Sequence, residues 1–271
     1  MASDLDANGV ALFAISYDSV DILRNFAATH GITYPLLSDA GSHAMRGLGL
    51  INDRVQEDHA VYGIQPNARH VNLPYPGAFL LDRDGLVTQK RFYESYRERD
   101  TGTGLIAQTL GIINEPSAPV VATNSPVTVR AWLDSPTYVF FQRLMLTVEV
   151  SIDSGFCVCA DPPHDGVTPL SITIEPREGL AVGTTRWPAA RRVTRPGFHD
   201  GLWVHEGVVR GTVPLTFAAA PGGGDHLMGV TVRYQACNDA SCLIPSSIQV
   251  RVPAREVALI GRSLPSPVSK T

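Results

Sequence analysis

The chain has 271 residues, 44% of them hydrophobic and 18% charged, which is typical of a soluble globular protein of about two domains. Its formal net charge of −4 excludes the basic surface that nucleic acid or anionic lipid would require. No apolar run approaches the roughly 18 residues of a membrane span, and the first residues lack the basic and apolar regions of a signal peptide. As written, the sequence predicts a cytoplasmic protein.

The first half alternates predicted strands and helices. Residues 10–16 form a continuous apolar run, which predicts a strand buried on both faces. A helix is predicted over 20–30, with Ser19 before it and Gly31 as its left-handed C-terminal cap. Further helices are predicted over 43–48 and 103–110, and an Asp-Gly turn at 82–85 predicts a β-hairpin. These elements predict an α/β domain over 1–115.

The second half changes to a period of two. Its apolar residues alternate along 144–152, 171–174, 208–217, 230–235 and 248–252, with Gly- and Pro-rich turns between. Short alternating strands with no helix between them indicate an antiparallel β-sandwich. The sequence therefore predicts a linker over 116–126, an all-β domain over 127–254 and a tail over 255–271.

All four cysteines lie in the second half, and residues 1–156 contain none. Cys237 and Cys242 flank a polar turn that follows an alternating strand, and this spacing lets their sulfurs meet as a disulfide that can be opened and closed. A purely structural disulfide and two unreactive thiols are the alternatives. An even cysteine count in one domain of a cytosolic chain favours redox or metal chemistry.

Residues 9–111 resemble the peroxiredoxin-like (AhpC/TSA, redoxin) family of the thioredoxin fold. The resemblance is carried by three segments, which read FAISYD, YPLLSD and PGAFLLDRDG. It implies that Pro76 stands where thioredoxin folds place a cis proline beside the active site. A trans proline opening a strand is the alternative.

The first half departs from this family at its catalytic element. The family's peroxidatic cysteine lies at the start of a helix of which only the end, residues 2–8, matches, and the strand before that helix is absent. Peroxide reduction requires such an activated thiolate, so we expect none from this half. Either the chain is a truncated form of a longer protein, or the domain is a non-catalytic partner. With that strand missing, its two neighbours either close on each other or leave an exposed edge, which predicts a marginally stable first half or a homodimer.

Residues 127–252 resemble the immunoglobulin-like N-terminal domain of the bacterial reductant transporter DsbD. The specific match is the segment YQACNDASCLIP, because members carry YQ-x-C, a short polar stretch and C-x-x-P. The resemblance implies that Cys237 and Cys242 are a redox-active pair. It also implies an aromatic cap over that pair, for which Trp203 is the candidate, with a core or inter-sheet tryptophan as the alternative.

Cys157 and Cys159 occupy positions where members of that family carry tyrosines flanking the redox cysteines. Residues two apart on a strand face the same side, so both should face the Cys237/Cys242 loop. Three interpretations stay open for these accessory thiols: a relay between two cysteine pairs, a four-thiolate zinc site, and two small buried apolar side chains.

The sequence as a whole predicts an incomplete thioredoxin-like α/β domain followed by an immunoglobulin-like β-sandwich. Its predicted function is thiol–disulfide exchange at Cys237 and Cys242, with no organic cofactor and no metal. The expected partner is a redox protein, either thioredoxin-like or a membrane reductant transporter, and the DsbD-like resemblance allows an extracytoplasmic location. The alternative is a non-enzymatic protein-binding module with a structural disulfide.

Overall fold

The structure, a computed structural model, describes residues 2–61, 65, 67, 71–93, 99–111, 119–139, 141–163, 166–195, 198–217 and 224–257. Its tertiary contacts divide the chain into two compact units, Met1–Gly111 and Ile112–Thr271, here called unit 1 and unit 2. Within the described residues, no helix combines the length and the apolar character that crossing a bilayer requires.

The described residues of unit 1 form five short helices and five short strands. In chain order they are α1 (Ala2–Ala7), β1 (Ala14–Ser16), α2 (Val20–His30), β2 (Leu36–Ser38), α3 (His43–Gly47), α4 (Val55–Val61), β3 (Gly77–Leu81), β4 (Val87–Phe92), β5 (Arg99–Asp100) and α5 (Gly102–Leu110). Helix α4 lies in a polar stretch without a clear period, where the sequence predicted no element.

Helix α2 has the bounds that the sequence predicted. Gly31 ends it in the left-handed conformation, with φ of 61°, and its N–H donates to the carbonyl of Ala27. Ser19 precedes the helix in extended conformation but makes no side-chain capping bond. Leu23 is the helix residue buried in the unit.

Strands β1 to β4 of unit 1 form two separate sheets. Strands β1 and β2 pair in parallel, whereas β3 and β4 form the predicted antiparallel hairpin. The Asp82 side chain holds the hairpin turn by accepting hydrogen bonds from the N–H groups of Asp84 and Leu86. Strand β1 is only three residues long, and Ile15 is 46% exposed. The prediction of a strand buried on both faces is therefore wrong, because β1 belongs to a sheet of two short strands, which is too narrow to be covered on both faces.

The prediction of a cis bond before Pro76 is also wrong. In the described residues the cis peptide bonds are Ser125–Pro126 and Asp161–Pro162. Pro76 directly precedes strand β3, where the fixed φ of a trans proline suits the extended chain.

Every described element of unit 2 is a β-strand. They are β6 (Val120–Asn124), β7 (Val127–Leu133), β8 (Thr137–Tyr138), β9 (Gln142–Ile152), β10 (Cys157–Cys159), β11 (Ser171–Ile174), β12 (Leu180–Val182), β13 (Arg191–Arg195), β14 (Phe198–His205), β15 (Val208–Phe217), β16 (Gly224–Tyr234), β17 (Ala236–Cys237) and β18 (Ser246–Glu256).

Two of its sheets enclose the main hydrophobic core. One sheet has the strand order β12-β15-β9-β7-β6, and the other has the order β11-β16-β18-β8. Alternate residues of β9, such as Leu146 and Val148, pack against residues of the second sheet, such as Val230 and Val250. The alternation read from the sequence thus places one face of each strand in a common interior.

The predicted linker over 116–126 is wrong in its second part, since residues 120–124 form β6. This strand pairs with β7 because its extended run of β-branched residues matches Ala131 through Val127 in register. Residues 116–118 of that linker, and the predicted tail from residue 258 onward, lie outside the described residues.

A third, smaller sheet of unit 2 has the order β13-β14-β10-β17 and is here called the cysteine sheet. Strand β10 lies between β14 and β17 and pairs antiparallel with both. Three of the four cysteines therefore belong to two neighbouring strands, and the fourth follows in the turn after β17.

Candidate functional site: a disulfide beside two buried thiols

The turn between Cys237 and Cys242 is folded by its own polar groups. The Asn238 side chain accepts hydrogen bonds of 2.9 Å from the N–H groups of Ala240 and Ser241, and its own N–H donates to the Ser241 carbonyl. Such a turn returns the chain antiparallel to itself, so Cys237 and Cys242 face each other. Their Cα atoms are 3.9 Å apart and their sulfurs are joined in a disulfide of 1.95 Å. The prediction that the pair lies close enough to bridge is confirmed.

Gln235 fixes this turn to the rest of unit 2. Its buried side chain accepts a hydrogen bond of 2.8 Å from the N–H of Thr168 and donates one of 2.9 Å to the carbonyl of Leu243. Both ends of the amide are therefore used, one on each side of the site. Nothing in the sequence pattern pointed to this role of Gln235, although the residue stands inside the YQ-x-C match.

The two sulfurs of the bridge differ in access. Cys237 is fully buried, at 0% exposure, whereas Cys242 is only partly buried. The residues after Cys242 lie at the surface, and Ile244 is 86% exposed. A thiolate from another molecule can therefore approach the bridge from the Cys242 side, while Cys237 is shielded.

Cys157 and Cys159 face the bridge from strand β10, as predicted. Cys157 lies directly opposite Cys237 in the antiparallel register, and its Sγ donates to the Cys237 carbonyl over 3.4 Å. The Sγ of Cys159 lies 3.6 Å from the Sγ of Cys237. Since a disulfide sulfur carries no hydrogen, the Cys159 thiol is the donor in that contact. The two thiols thus touch different atoms of the same residue.

The surroundings of these sulfurs are apolar. Cys157, Cys159 and Cys237 form a buried cluster with the side chains of Val193, Leu202 and Val204, and Val167 and Cys242 pack at its edge. Burial, reinforced by the neighbouring Cys157, raises the pKa of the Cys159 thiol to about 12. Cys159 is therefore a thiol, not a thiolate, at neutral pH.

Trp203 does not cover the bridge, and its assignment as a cap is wrong. Leu202 and Val204, its neighbours on β14, both point into the cysteine cluster, so Trp203 points from the opposite face of the strand and is 39% exposed. His205 shares that opposite face, since it pairs with Val158, and burial lowers the pKa of its imidazole. Neither ring lies on the sulfur face of the sheet.

Two of the four sulfurs are joined in a disulfide and are therefore not available as thiolate ligands for a metal ion. Because Cys237 and Cys242 are joined to each other, a four-thiolate zinc site would require the bridge to be reduced first. The described residues hold no group of three or more His, Cys, Asp or Glu side chains placed for a metal ion. The arrangement as it stands is that of a disulfide with a third sulfur in contact.

Comparisons with known proteins bear on both halves of the chain. The AhpC/TSA family model matches residues 1–90, less than half of the chain, and confirms the resemblance of the first half. No curated protein matches the sequence.

Among solved structures, the N-terminal periplasmic domain of ScsB from Proteus mirabilis is similar at 14% identity and a TM-score of 0.37, over 48% of this chain and 49% of that one. This chain thus covers about half of the ScsB domain. The reduced DsbD N-terminal domain of Neisseria meningitidis is similar at 15% identity and a TM-score of 0.28, over 41% and 80% of the two chains. The DsbD N-terminal domain in complex with the PilB N-terminal domain, from the same organism, gives 13% identity and a TM-score of 0.28, over 49% and 79%.

Proposed function

We propose that this protein carries out two-electron thiol–disulfide exchange through Cys237 and Cys242. The observation that carries the proposal is the asymmetry of the bridge, in which a partly exposed sulfur is joined to a fully buried one. Exchange requires an accessible sulfur for attack and a second sulfur that leaves and later resolves the mixed disulfide. Cys242 suits the first role and Cys237 the second.

In the direction that oxidises a partner, the steps are as follows. A partner thiolate attacks the Sγ of Cys242, the bond between the two sulfurs breaks, and its electron pair leaves on Cys237. A second partner thiolate then attacks the partner sulfur of the mixed disulfide and releases Cys242 as a thiolate. The partner ends as a disulfide, and Cys237 and Cys242 end as a reduced pair that takes up two protons.

The leaving sulfur Cys237 becomes charged in an apolar pocket, and a charge there is costly unless a donor contacts it. The Cys159 thiol is 3.6 Å away and, because its pKa is raised, keeps its proton at neutral pH. It can therefore donate a weak hydrogen bond to the Cys237 thiolate. This contact supports Cys237, rather than Cys242, as the leaving group.

Unit 1 has no part in the chemistry of this proposal, because residues 1–156 contain no cysteine. We take it as an incomplete thioredoxin-like domain without a peroxidatic site, joined to an immunoglobulin-like sandwich. The partner would be a redox protein, thioredoxin-like or a membrane reductant transporter. An extracytoplasmic location fits a bridge that is oxidised at rest, since cytosolic disulfides are mostly transient.

Self-association through the incomplete sheet is a further proposal for unit 1. Strand β1 pairs with β2 along one edge, and the exposed Ile15 and Leu37 lie opposite each other in this short sheet. An apolar strand with a free edge favours pairing with another chain. Sedimentation of the full chain should show a concentration-dependent dimer, and a strict monomer at all concentrations would refute it.

Trapping a mixed disulfide tests the exchange itself. The reduced Cys237→Ser variant is mixed with a thioredoxin that keeps only its attacking cysteine, activated as a mixed disulfide with a small aromatic thiol. Cys242 should displace that aromatic thiol and accumulate as a covalent complex, because neither protein then holds a resolving sulfur. The matched Cys242→Ser variant keeps only the buried Cys237 and should form at most about a tenth as much complex. Equal trapping by both variants, or by neither, would contradict the proposed roles.

The alternative function is a protein-binding module with a structural bridge. The observation in its favour is the burial of Cys237 and the hydrogen-bonded turn, which protect a disulfide from reduction. Under that alternative, the oxidised chain would resist millimolar glutathione and keep the same partners after the bridge is removed by Cys237→Ser with Cys242→Ser.

A further inference from the structure

The cysteine cluster contains more sulfur than a simple exchange site requires. Two thiols, Cys157 and Cys159, are buried beside a disulfide that two other cysteines complete. Buried cysteines often serve only as small apolar side chains. Here, however, the register gives the two thiols different contacts, and this difference points to a specific chemistry.

Cys159 contacts the bridge at sulfur, and Cys157 contacts it at a backbone oxygen. The 3.6 Å between the Cys159 and Cys237 sulfurs is close to van der Waals contact, so a shift of about 1.5 Å would bring them to bonding distance. The Cys157 Sγ instead donates to the Cys237 carbonyl at 3.4 Å. The sulfur–sulfur contact with the bridge is therefore the one made by Cys159.

We propose that the disulfide migrates inward, from Cys237–Cys242 to Cys159–Cys237, and leaves Cys242 as a reactive thiol at the surface. In this step the Cys159 thiolate attacks the Sγ of Cys237. The bond between Cys237 and Cys242 breaks, and its electron pair leaves on Cys242. The proton lost by Cys159 is balanced by the one that Cys242 takes up, so the step is an isomerisation that needs no external oxidant or reductant.

This inference extends the proposed function, because it gives the same site two oxidised states. In one state, the bridge is presented at the surface and accepts electrons from a partner. In the other, the bridge is buried among Val193, Leu202 and Val204 and is protected from a partner thiolate. Cys242, beside the exposed Leu243 and Ile244, is then a single thiol that can attack a partner disulfide to form a mixed disulfide and release one partner thiolate. The isomerisation thus decides whether the surface of the site presents a disulfide or a thiol.

The migration should become faster as pH rises, because it requires an ionised Cys159 thiol and releases Cys242 as a thiolate. Cys242 is partly exposed, and water can stabilise its thiolate, whereas Cys159 is fully surrounded by apolar groups. Since the pKa of Cys159 is raised to about 12, its reactive thiolate fraction grows about tenfold for each pH unit below that value. The rate of migration should therefore rise steeply between neutral and alkaline pH.

Alkylation of the oxidised full-length protein tests the migration without any partner. The protein is incubated with iodoacetamide at a series of pH values from neutral to mildly alkaline, quenched in acid and cleaved before aspartate. Cleavage at Asp239 separates Cys237 from Cys242, and cleavage at Asp161 separates Cys159 from the sequence that follows. Mass spectrometry then shows whether Cys242 is alkylated while Cys237 is cross-linked to the fragment that contains Cys159.

We expect that cross-linked product in the wild type, at a rate that rises about tenfold per pH unit. The matched control is Cys157→Ser, which removes the neighbouring thiol on the same strand and should give the same cross-link at a rate no lower than in the wild type, because Cys157 contributes to the raised pKa of Cys159. Cys159→Ser should lower it by at least about tenfold, since serine retains size and polarity but cannot exchange. A wild-type bridge that stays between Cys237 and Cys242 throughout would overturn the proposal, as would equal alkylation of Cys242 in Cys159→Ser.

Two further cases have defined outcomes. If Cys159→Ser does not fold, the cross-link found in the wild type still decides the question, because tandem fragmentation locates it on Cys157 or Cys159. A location on Cys157 would refute the assignment. If the migration fails while Cys237→Ser still traps a thioredoxin, the inference is wrong and the proposed function stands. If the migration occurs without trapping, the proposed function is the one that fails.

Discussion

Units 1 and 2 differ in how far the apolar residues of their strands are buried. In unit 2, alternate residues of long strands such as β9 and β15 are almost completely removed from water inside a two-sheet core. In unit 1, the three-residue strands β1 and β2 leave Ile15 and Leu37 about half exposed. All four cysteines lie in the unit with the larger core. A rigid scaffold of this kind can hold sulfurs at fixed separations, which exchange chemistry requires.

The two units also differ in their sulfur content. The residues that resemble a peroxidase family contain no cysteine, whereas the β-sandwich carries a bridge and two thiols within one apolar cluster. Family resemblance in unit 1 therefore indicates a fold, and the side chains of unit 2 indicate a reaction.

The largest expected effect is on redox activity. The double variant Cys237→Ser with Cys242→Ser should lose all exchange with a thioredoxin, because both reacting sulfurs are removed, while unit 1 stays folded. Neither the wild type nor this variant should turn over hydrogen peroxide with a dithiol reductant, beyond slow oxidation of the unit 2 thiols. Peroxide consumption that survives in the double variant would show a reactive site that lies outside this pair.

Core truncation should separate the stabilities of the two units. Leu146→Ala removes a fully buried side chain and should lower the free energy of unfolding of unit 2 by about 3 kcal/mol. Leu37→Ala in unit 1, at a half-exposed position, should cost under about 1 kcal/mol.

Two spectroscopic signals follow the units independently in denaturant. All three tryptophans belong to unit 2, so fluorescence reports the unfolding of unit 2. All described helices belong to unit 1, so far-UV circular dichroism at helix wavelengths reports the unfolding of unit 1. A larger loss for Leu37→Ala than for Leu146→Ala would invert the comparison.

A smaller effect is expected at a buried carboxylate of unit 2. Glu149 is nearly buried, and burial alone would raise its pKa. Hydrogen bonds from Arg130 at 2.8 Å and Arg210 at 2.7 Å nevertheless lower the pKa of this carboxyl overall. A lowered folded-state pKa gives stability that is present above the ordinary pKa of about 4.3 and is lost as pH falls through the folded-state value.

Glu149→Gln should therefore cost about 1–2 kcal/mol at neutral pH, and the gap to wild type should shrink as the solution becomes acidic. The control is Glu206→Gln, whose exposed pair with Arg191 should contribute less than about 1 kcal/mol. Fluorescence-detected unfolding at a series of pH values measures both. A gap that stays constant down to strongly acidic pH would mean that the carboxylate charge does not stabilise unit 2.

Local features of this molecule could be predicted from its sequence. The predicted features include the end of helix α2 at Gly31, the hairpin turn at Asp82 and the pairing of Cys237 with Cys242. They could be predicted because each depends on residues only a few positions apart. The placement of Cys157 and Cys159 opposite the loop came from strand periodicity combined with a family resemblance, and neither alone would have supplied the pairing with β17.

The errors concern features that depend on distant pairing. Which face Trp203 presents depends on the register of β14 with β10, which the sequence around Trp203 does not contain. Likewise, the exposure of Ile15 depends on which elements pack against the face of the β1–β2 sheet. The linker error at 120–124 is the exception, since β6 pairs with the adjacent β7 across the short turn at Ser125 and Pro126. Strand pairing over long sequence distances is set by the whole fold rather than by local propensity.

The central claim is that Cys237–Cys242 is a working disulfide, and its reduction potential tests this most directly. The oxidised protein is equilibrated with glutathione and dithiothreitol buffers of defined potential, and the reduced fraction is counted as the protein in which both Cys237 and Cys242 are alkylated. A working bridge should have a potential above about −300 mV, within reach of thioredoxin-like partners. A potential well below about −300 mV would mark a structural bridge and contradict the claim.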